Sequence, residues 1–192
     1  MILRTFLLIP LMFLCGTAFA STAEAEKRLQ SAVTDVLAIA TTAPDRAALQ
    51  TSLRPVLKKH LSFEAMTRRA VGPGWRQFTP PQQEEAVRLF TTLIIRTYSD
   101  KFTPGEHPEI LFKAATSPAP GRVEVPTTIL YQGGRYSVTY RLEEAESWRI
   151  TDVVIEGVSL VANYRTQFDA EFKKGGAGAV VGALSQSVEN PK

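Results

Sequence analysis

Few residues in this chain are placed to do chemistry, and each can be weighed on its spacing. The two histidines, His60 and His107, lie in separate segments without the HExxH spacing that sets two imidazoles on one helix face, so no metal site is expected. Ser99, Ser137 and Ser159 lack a GxSxG turn and are read as helix, strand and cap residues. Gly133-Gly134 and Gly175-Gly176 read as turn and cap glycines, not as a phosphate cradle. Asp152 stands out, because strict alternation puts it on the strand face of Trp148, Ile150 and Val154. An acid there could shuttle a proton while Tyr98 or Tyr140 polarises a carbonyl, as in small cone-shaped isomerase-like or hydratase-like enzymes. The alternative role is structural, with the carboxylate accepting backbone N–H groups near Glu156-Gly157 and pinning a strand-to-helix junction.

The elements that must position these residues follow from periodicity. Leu29, Val33, Val36 and Leu37 mark an amphipathic helix over 22–40, and Leu49, Leu53, Val56 and Leu57 a second over 45–60, with Asp45 as N-cap and Pro55 able to bend or divide it. A short helix from Ser62 ends at Gly72-Pro73-Gly74. Thr79-Pro80-Pro81-Gln82 joins an N-cap, a first-turn proline and a capping-box glutamine, so a long helix starts there. Its stripe of Val87, Phe90, Leu93, Ile94, Tyr98 and Phe102 is widened by Leu89 and Ile95, which predicts packing on two sides.

After Pro104-Gly105 the period becomes twofold. Strands are expected over 109–115, 122–132, 135–143 and 148–155, with a turn at 118–121 and a hairpin at Gly133-Gly134. Ser159 caps a helix carrying Leu160, Tyr164, Phe168 and Phe172, which Gly175-Gly176 breaks before a last short helix. The expected class is α+β, a curved antiparallel sheet of about four strands covered by N- and C-terminal helices.

Residues 1–20 have the Arg4, apolar run and Ala18-Phe19-Ala20 of a cleavable secretory signal. The run is shorter than the roughly 20 residues that span a bilayer. Cleavage leaves 21–192 as one domain, and removes Cys15, the only cysteine, so neither disulfides nor a cysteine-bound metal are expected. Loss of Arg4 lowers the formal charge from +3 to +2, too little to indicate a nucleic-acid partner.

Two blocks carry a resemblance. G-x-x-W-R-x-x-T-P-x-Q runs from Gly72 to Gln82, and D-V-x-I-E-G-V-S-L-x-x-N-Y-R-x-Q-F from Asp152 to Phe168 ahead of the double glycine. In this the chain resembles the MlaC or toluene-tolerance family of periplasmic phospholipid-binding proteins. The resemblance implies a sheet-and-helix fold around an apolar pocket for acyl chains, no cofactor, and a monomeric periplasmic shuttle. Its implied partners are a phospholipid, an inner-membrane ABC transporter complex and an outer-membrane lipoprotein complex, in a system that maintains outer-membrane lipid asymmetry. A branch of the same family associated with hopanoid biosynthesis leaves a polycyclic lipid open as the cargo.

Such a role has a plain physical basis, since about thirty CH₂ groups at roughly 0.8 kcal/mol each make two acyl chains in water cost on the order of 25 kcal/mol. On the strand and helix reading, the pocket wall is expected from Leu93, Tyr98, Val125, Ile129, Val138, Tyr140, Trp148, Ile150, Val154, Leu160 and Tyr164. Arg76 and Arg165 are candidate head-group contacts. A third reading, an accessory subunit of a transport complex, predicts a filled core instead.

Overall fold

A computed structural model describes residues 17–100 and 103–190, with side chains from residue 22 onward. The expected signal segment, with Cys15, lies almost wholly outside the described residues, as does Phe102. The helices are α1 (Thr17–Thr42), α2 (Arg46–His60), α3 (Phe63–Val71), α4 (Pro80–Ser99) and α5 (Leu160–Glu189), with a 3-10 turn at Gly72–Gln77 between α3 and α4. The strands are β1 (Glu109–Phe112), β2 (Thr116–Ala119), β3 (Arg122–Tyr131), β4 (Gly134–Glu144), β5 (Trp148–Ile155) and β6 (Val158–Ser159).

Local chemistry sets the helix ends. Asp45 accepts the Ala48 N–H at 2.8 Å, and Ser159 Oγ accepts the Ala162 N–H at 3.0 Å. The Thr79 N–H donates to Gln82 Oε1 at 2.9 Å, the reciprocal half of a capping box. α2 runs through Pro55 undivided. α5 breaks at Gly175 and Gly176, whose backbone angles are non-helical, with Gly176 at φ +62°.

The sheet is antiparallel throughout, in the order β1-β3-β4-β5-β6, with β2 sharing the β3 edge with β1. Six strands replace the expected four. β1 stops at Phe112, and β2, whose last two residues fall in the turn expected at 118–121, adds to β3 through Thr116 and Ala119. β6 is the far side of a tight turn at Glu156-Gly157, where both residues have positive φ and Ile155 faces Val158. The β3–β4 hairpin turns one residue earlier than expected, at Gln132-Gly133, again with two positive φ values, so Gly134 already pairs with Tyr131. At Gly134 the Tyr136 side chain lies across the backbone, with its hydroxyl 2.6 Å from where a Cβ would sit. That position leaves Tyr136 44% exposed, although alternation puts it on the buried face.

Three clusters hold the molecule together. α3, α4 and α5 share a helical core around Phe90, which meets Tyr164 edge-on at 5.0 Å and Phe168 at 5.7 Å. α1 lies on the sheet, with Ala25, Leu29 and Ala32 against Val123, Val125, Leu142, Trp148 and Ile150. A smaller cluster, Ala40, Leu49 and Leu53, joins α1 to α2. α4 therefore packs on two sides, as its wide stripe predicts.

The 3-10 turn lies against α5: a Cβ on Gly74 would meet the Phe172 ring at 2.8 Å, and Phe172 in turn stacks on Phe78 at 6.3 Å. Gly74→Ala should therefore cost about 1–3 kcal/mol, because the ring has a packed neighbour behind it. Thermal unfolding read by circular dichroism checks this, and an unchanged midpoint would show that the loop yields freely.

Candidate functional site: an apolar cavity between helices and sheet

The β4–β5 register decides the site. Arg141 pairs with Asp152 and Leu142 with Ile150, so Thr151 is an extra residue, a β-bulge. One inserted residue exchanges the two faces of everything beyond it. Trp148 and Ile150 point to the helices before the bulge; after it Val153 and Ile155 do so, opposite Tyr140 and Val138. Asp152 and Val154 are turned to the other face.

On the helix side of the sheet lies a cavity of about 210 Å³. α1 contributes Leu29, Ala32, Val33, Val36 and Leu37, and α2 contributes Leu53, Leu57 and His60. Leu61 and Met66 follow, then Ile94, Ile95, Tyr98 and Ser99 of α4. The sheet adds Ile110, Ile129, Val138, Tyr140, Ile150, Val153 and Ile155, and Pro108 and Leu160 complete the wall. Three larger grooves, of about 700, 530 and 590 Å³, are open and rimmed by charged side chains.

Of the expected wall, Tyr98, Ile129, Val138, Tyr140, Ile150 and Leu160 line this cavity, and five residues do not. Val154 is displaced by the bulge, half-buried opposite Thr139. Val125 and Trp148 do face the helices, but α1 covers them directly and fills the space. Leu93 and Tyr164 belong to the α3–α4–α5 core, on the side of α4 turned from the sheet. The two candidate head-group arginines are also off the wall. Arg76 is exposed on the 3-10 turn. Arg165 leans on Gly72, with Asp169 at 4.0 Å, and borders the second charged groove.

The largest group of wall residues missed in the sequence is that of α1 and α2. Their stripes were legible, but a stripe does not say whether it meets another side chain or a void. Val153 and Ile155 were hidden by the bulge.

Asp152, 6% exposed, is fully engaged. Its Oδ1 accepts the N–H of Val153 at 2.9 Å and of Val161 at 3.1 Å, while Oδ2 accepts the Ser159 hydroxyl at 2.6 Å and Arg141 Nη1 at 3.1 Å. Arg141 is held from behind by Glu124 at 2.8 Å. This carboxylate pins β4, β5 and the first turn of α5, where the helix dipole also favours a negative charge. It is turned to the sheet face opposite Tyr140, and its hydrogen bonds all go to the strand-to-helix junction, although its charge still reaches Tyr98. Burial raises the pKa of the Tyr98 phenol and pushes Tyr140 up to about 12, which keeps both as neutral hydroxyls. Among the described residues no cluster of three or more metal-ligating side chains occurs, and no helix is long and apolar enough to cross a membrane.

His60 is the one imidazole in the wall. It is 1% exposed, and its Nε2 lies 2.8 Å from Asp35 Oδ2, which Lys59 Nζ also approaches at 2.9 Å. Desolvation, helped by the nearby charges of Arg28 and Lys59, lowers the His60 pKa against the opposing pull of Asp35. Unfolding therefore takes up a proton in the window just below the ordinary histidine value of about 6.5, and stability should fall as pH drops through it. The urea midpoint should be lower at pH 5 than at pH 7.5, and the difference should shrink in His60→Leu; equal midpoints in the wild type would show that His60 is not buried as described.

Fold and cavity together define an α+β protein built around an apolar chamber. The chain belongs to the MlaC family, whose profile, described as MlaC protein, matches residues 27–186. No curated protein matches the sequence. Among solved structures, it is similar to a phospholipid-binding protein from Ralstonia solanacearum, determined in complex with a phospholipid, with 28% identity and a TM-score of 0.79. The match covers 86% of this chain and 97% of that one.

Proposed function

We propose that this protein is a periplasmic phospholipid carrier that shields the acyl part of its cargo in the cavity between α1, α2, α4 and the sheet. The observation that carries this reading is the wall itself, aliphatic over nearly its whole extent yet not closed up by side chains. Apolar surface left around a void loses the dispersion contacts a filled core would have, a cost that a bound hydrocarbon removes. Family membership and the phospholipid-bound neighbour supply the cargo class.

On this proposal Tyr98, Ile129, Val138, Tyr140, Ile150, Val153, Ile155 and Leu160 contact the lipid, together with the α1 and α2 stripes. Residues 1–20 direct export and are removed. The carrier acts as a monomer between an outer-membrane lipoprotein complex and an inner-membrane ABC transporter, and so helps keep the outer membrane asymmetric. Carriage makes and breaks no covalent bond.

Native mass spectrometry of protein purified from a bacterial periplasm without detergent tests the reading. The expected spectrum shows a mass shift that organic extraction and lipid analysis assign to phospholipid. Recovery solely as a lipid-free species, together with failure to take up phospholipid from vesicles of phosphatidylethanolamine and phosphatidylglycerol, would overturn it.

A further inference from the structure

The two nitrogens of His60 have unequal surroundings. The ring is almost wholly buried and lines the chamber; Nε2 lies 2.8 Å from Asp35 Oδ2, whereas Nδ1 has no hydrogen-bond partner among the described residues. Asp35 is paired with Lys59 as well as His60, and these partners hold its carboxyl below the usual range, so it is ionised and can only accept. The proton shared with Asp35 therefore sits on Nε2, and a second proton can go only to Nδ1.

An empty chamber and a loaded one treat that second proton differently. The volume of about 210 Å³ has room for several waters, each needing roughly 10–15 Å³, so an imidazolium at the wall of the empty chamber can be hydrated. Acyl chains in the same space offer its new N–H no acceptor and set the charge against hydrocarbon, which disfavours the charged form. The groups packed around the ring do not offset this. Desolvation is the largest influence on His60 and lowers its pKa; Asp35 of α1 pulls the other way, while Arg28 of α1 and Lys59 of α2 add to the lowering. From β5, Arg149 brings a further cation to the Lys58 carbonyl, at 3.0 Å. The titratable groups facing the chamber from α4 and β4 are the neutral phenols of Tyr98 and Tyr140.

We propose that His60 is a proton-binding site coupled to the cargo site: Nδ1 takes up a proton in the empty chamber and must give it up for acyl chains to enter, so that acid drives the cargo out. This rests on the carrier reading above and adds its regulation. The coupling is reciprocal, so lipid affinity is full at pH values above the titration of His60 in the empty protein and is lost as pH falls through it. Asp35 is the positioning residue, since it sets the tautomer.

Fluorescent diacyl phosphatidylcholine, whose head group does not titrate between pH 5 and pH 7.5, tests it with the delipidated mature protein. Affinity should be roughly five- to tenfold weaker at pH 5 than at pH 7.5, with circular dichroism at both values separating release from unfolding. His60→Gln keeps an N–H for Asp35 but takes up no proton, so whatever its affinity, the pH effect should shrink to less than about twofold. In the wild type, the His60 imidazole followed by NMR should titrate at lower pH when the protein is loaded than when it is empty, with the exposed His107 as internal reference. Equal wild-type affinities at the two pH values, or one titration midpoint for His60 in both states, would overturn the coupling and leave the carrier reading standing. An undiminished pH effect in the folded glutamine variant would overturn it too, and should that variant not fold, the two wild-type midpoints decide. Failure to bind the lipid at pH 7.5 would overturn the carrier reading and the coupling together.

Discussion

Asp152→Ala should lower the thermal midpoint by roughly 6–12 °C, from a loss of about 3 kcal/mol at about 2–4 °C per kcal/mol for a domain of this size. The cost does not come from a surface ion pair, which would be worth little. It comes from two backbone N–H groups, of Val153 and Val161, that lose their acceptor where solvent cannot replace it, and from Ser159, whose hydroxyl loses its partner. Arg141 keeps Glu124 and its access to water, so it adds less. Asp152→Asn retains an acceptor oxygen for the N–H groups and should lose about half as much. Circular dichroism melts of the three proteins check this; a change under about 1 kcal/mol for the alanine variant would show that the junction is held by packing alone. The same variant should leave lipid uptake by the folded fraction intact, since the carboxylate faces away from the chamber.

Val153→Asn should reduce phospholipid uptake from vesicles about tenfold, while Val154→Asn should change it less than twofold. Both replace a half-buried valine in mid-strand with an amide of similar size, so a general loss of strand stability would affect the two alike. They differ in the face presented. Val153 lines the chamber, where an amide against hydrocarbon lacks a partner and costs about 1–3 kcal/mol, with tenfold in affinity for each 1.4 kcal/mol. Val154 lies on the opposite face. Uptake measured with fluorescent phospholipid, on samples shown to be folded, separates them. The reverse order of effects would mean that the register continues without the bulge at Thr151.

That pair marks where sequence reading stops. The apolar alternation that starts at Trp148 and Ile150 breaks at Thr151-Asp152, two polar residues in a row ahead of apolar Val153 and Ile155, and strict alternation passed over this local mark of the bulge that aims Asp152 at the start of α5. The five misplaced wall residues fail for related reasons. Val125 and Trp148 have the right face but the wrong neighbour, and Leu93 and Tyr164 lie on helix faces that two different cores compete for. The caps, by contrast, were legible at Asp45, Thr79-Gln82 and Ser159, because capping is settled within four residues of chain. The double break at Gly175-Gly176 is local in the same way.

The amino-acid sequence by itself determined the helices, the four longer strands and their order, the α+β class and, through two short blocks, the family, since each depends on residues near one another in the chain; β2 and β6 needed their partners in the sheet. Tertiary structure alone decided which apolar faces surround a void and which fill one another, the side of the sheet to which Asp152 turns, and the meeting of Asp35 with His60 across two helices. The reason is that periodicity specifies that a face is buried, whereas the identity of what buries it depends on residues distant in the chain, and a single inserted residue in a strand can exchange the faces.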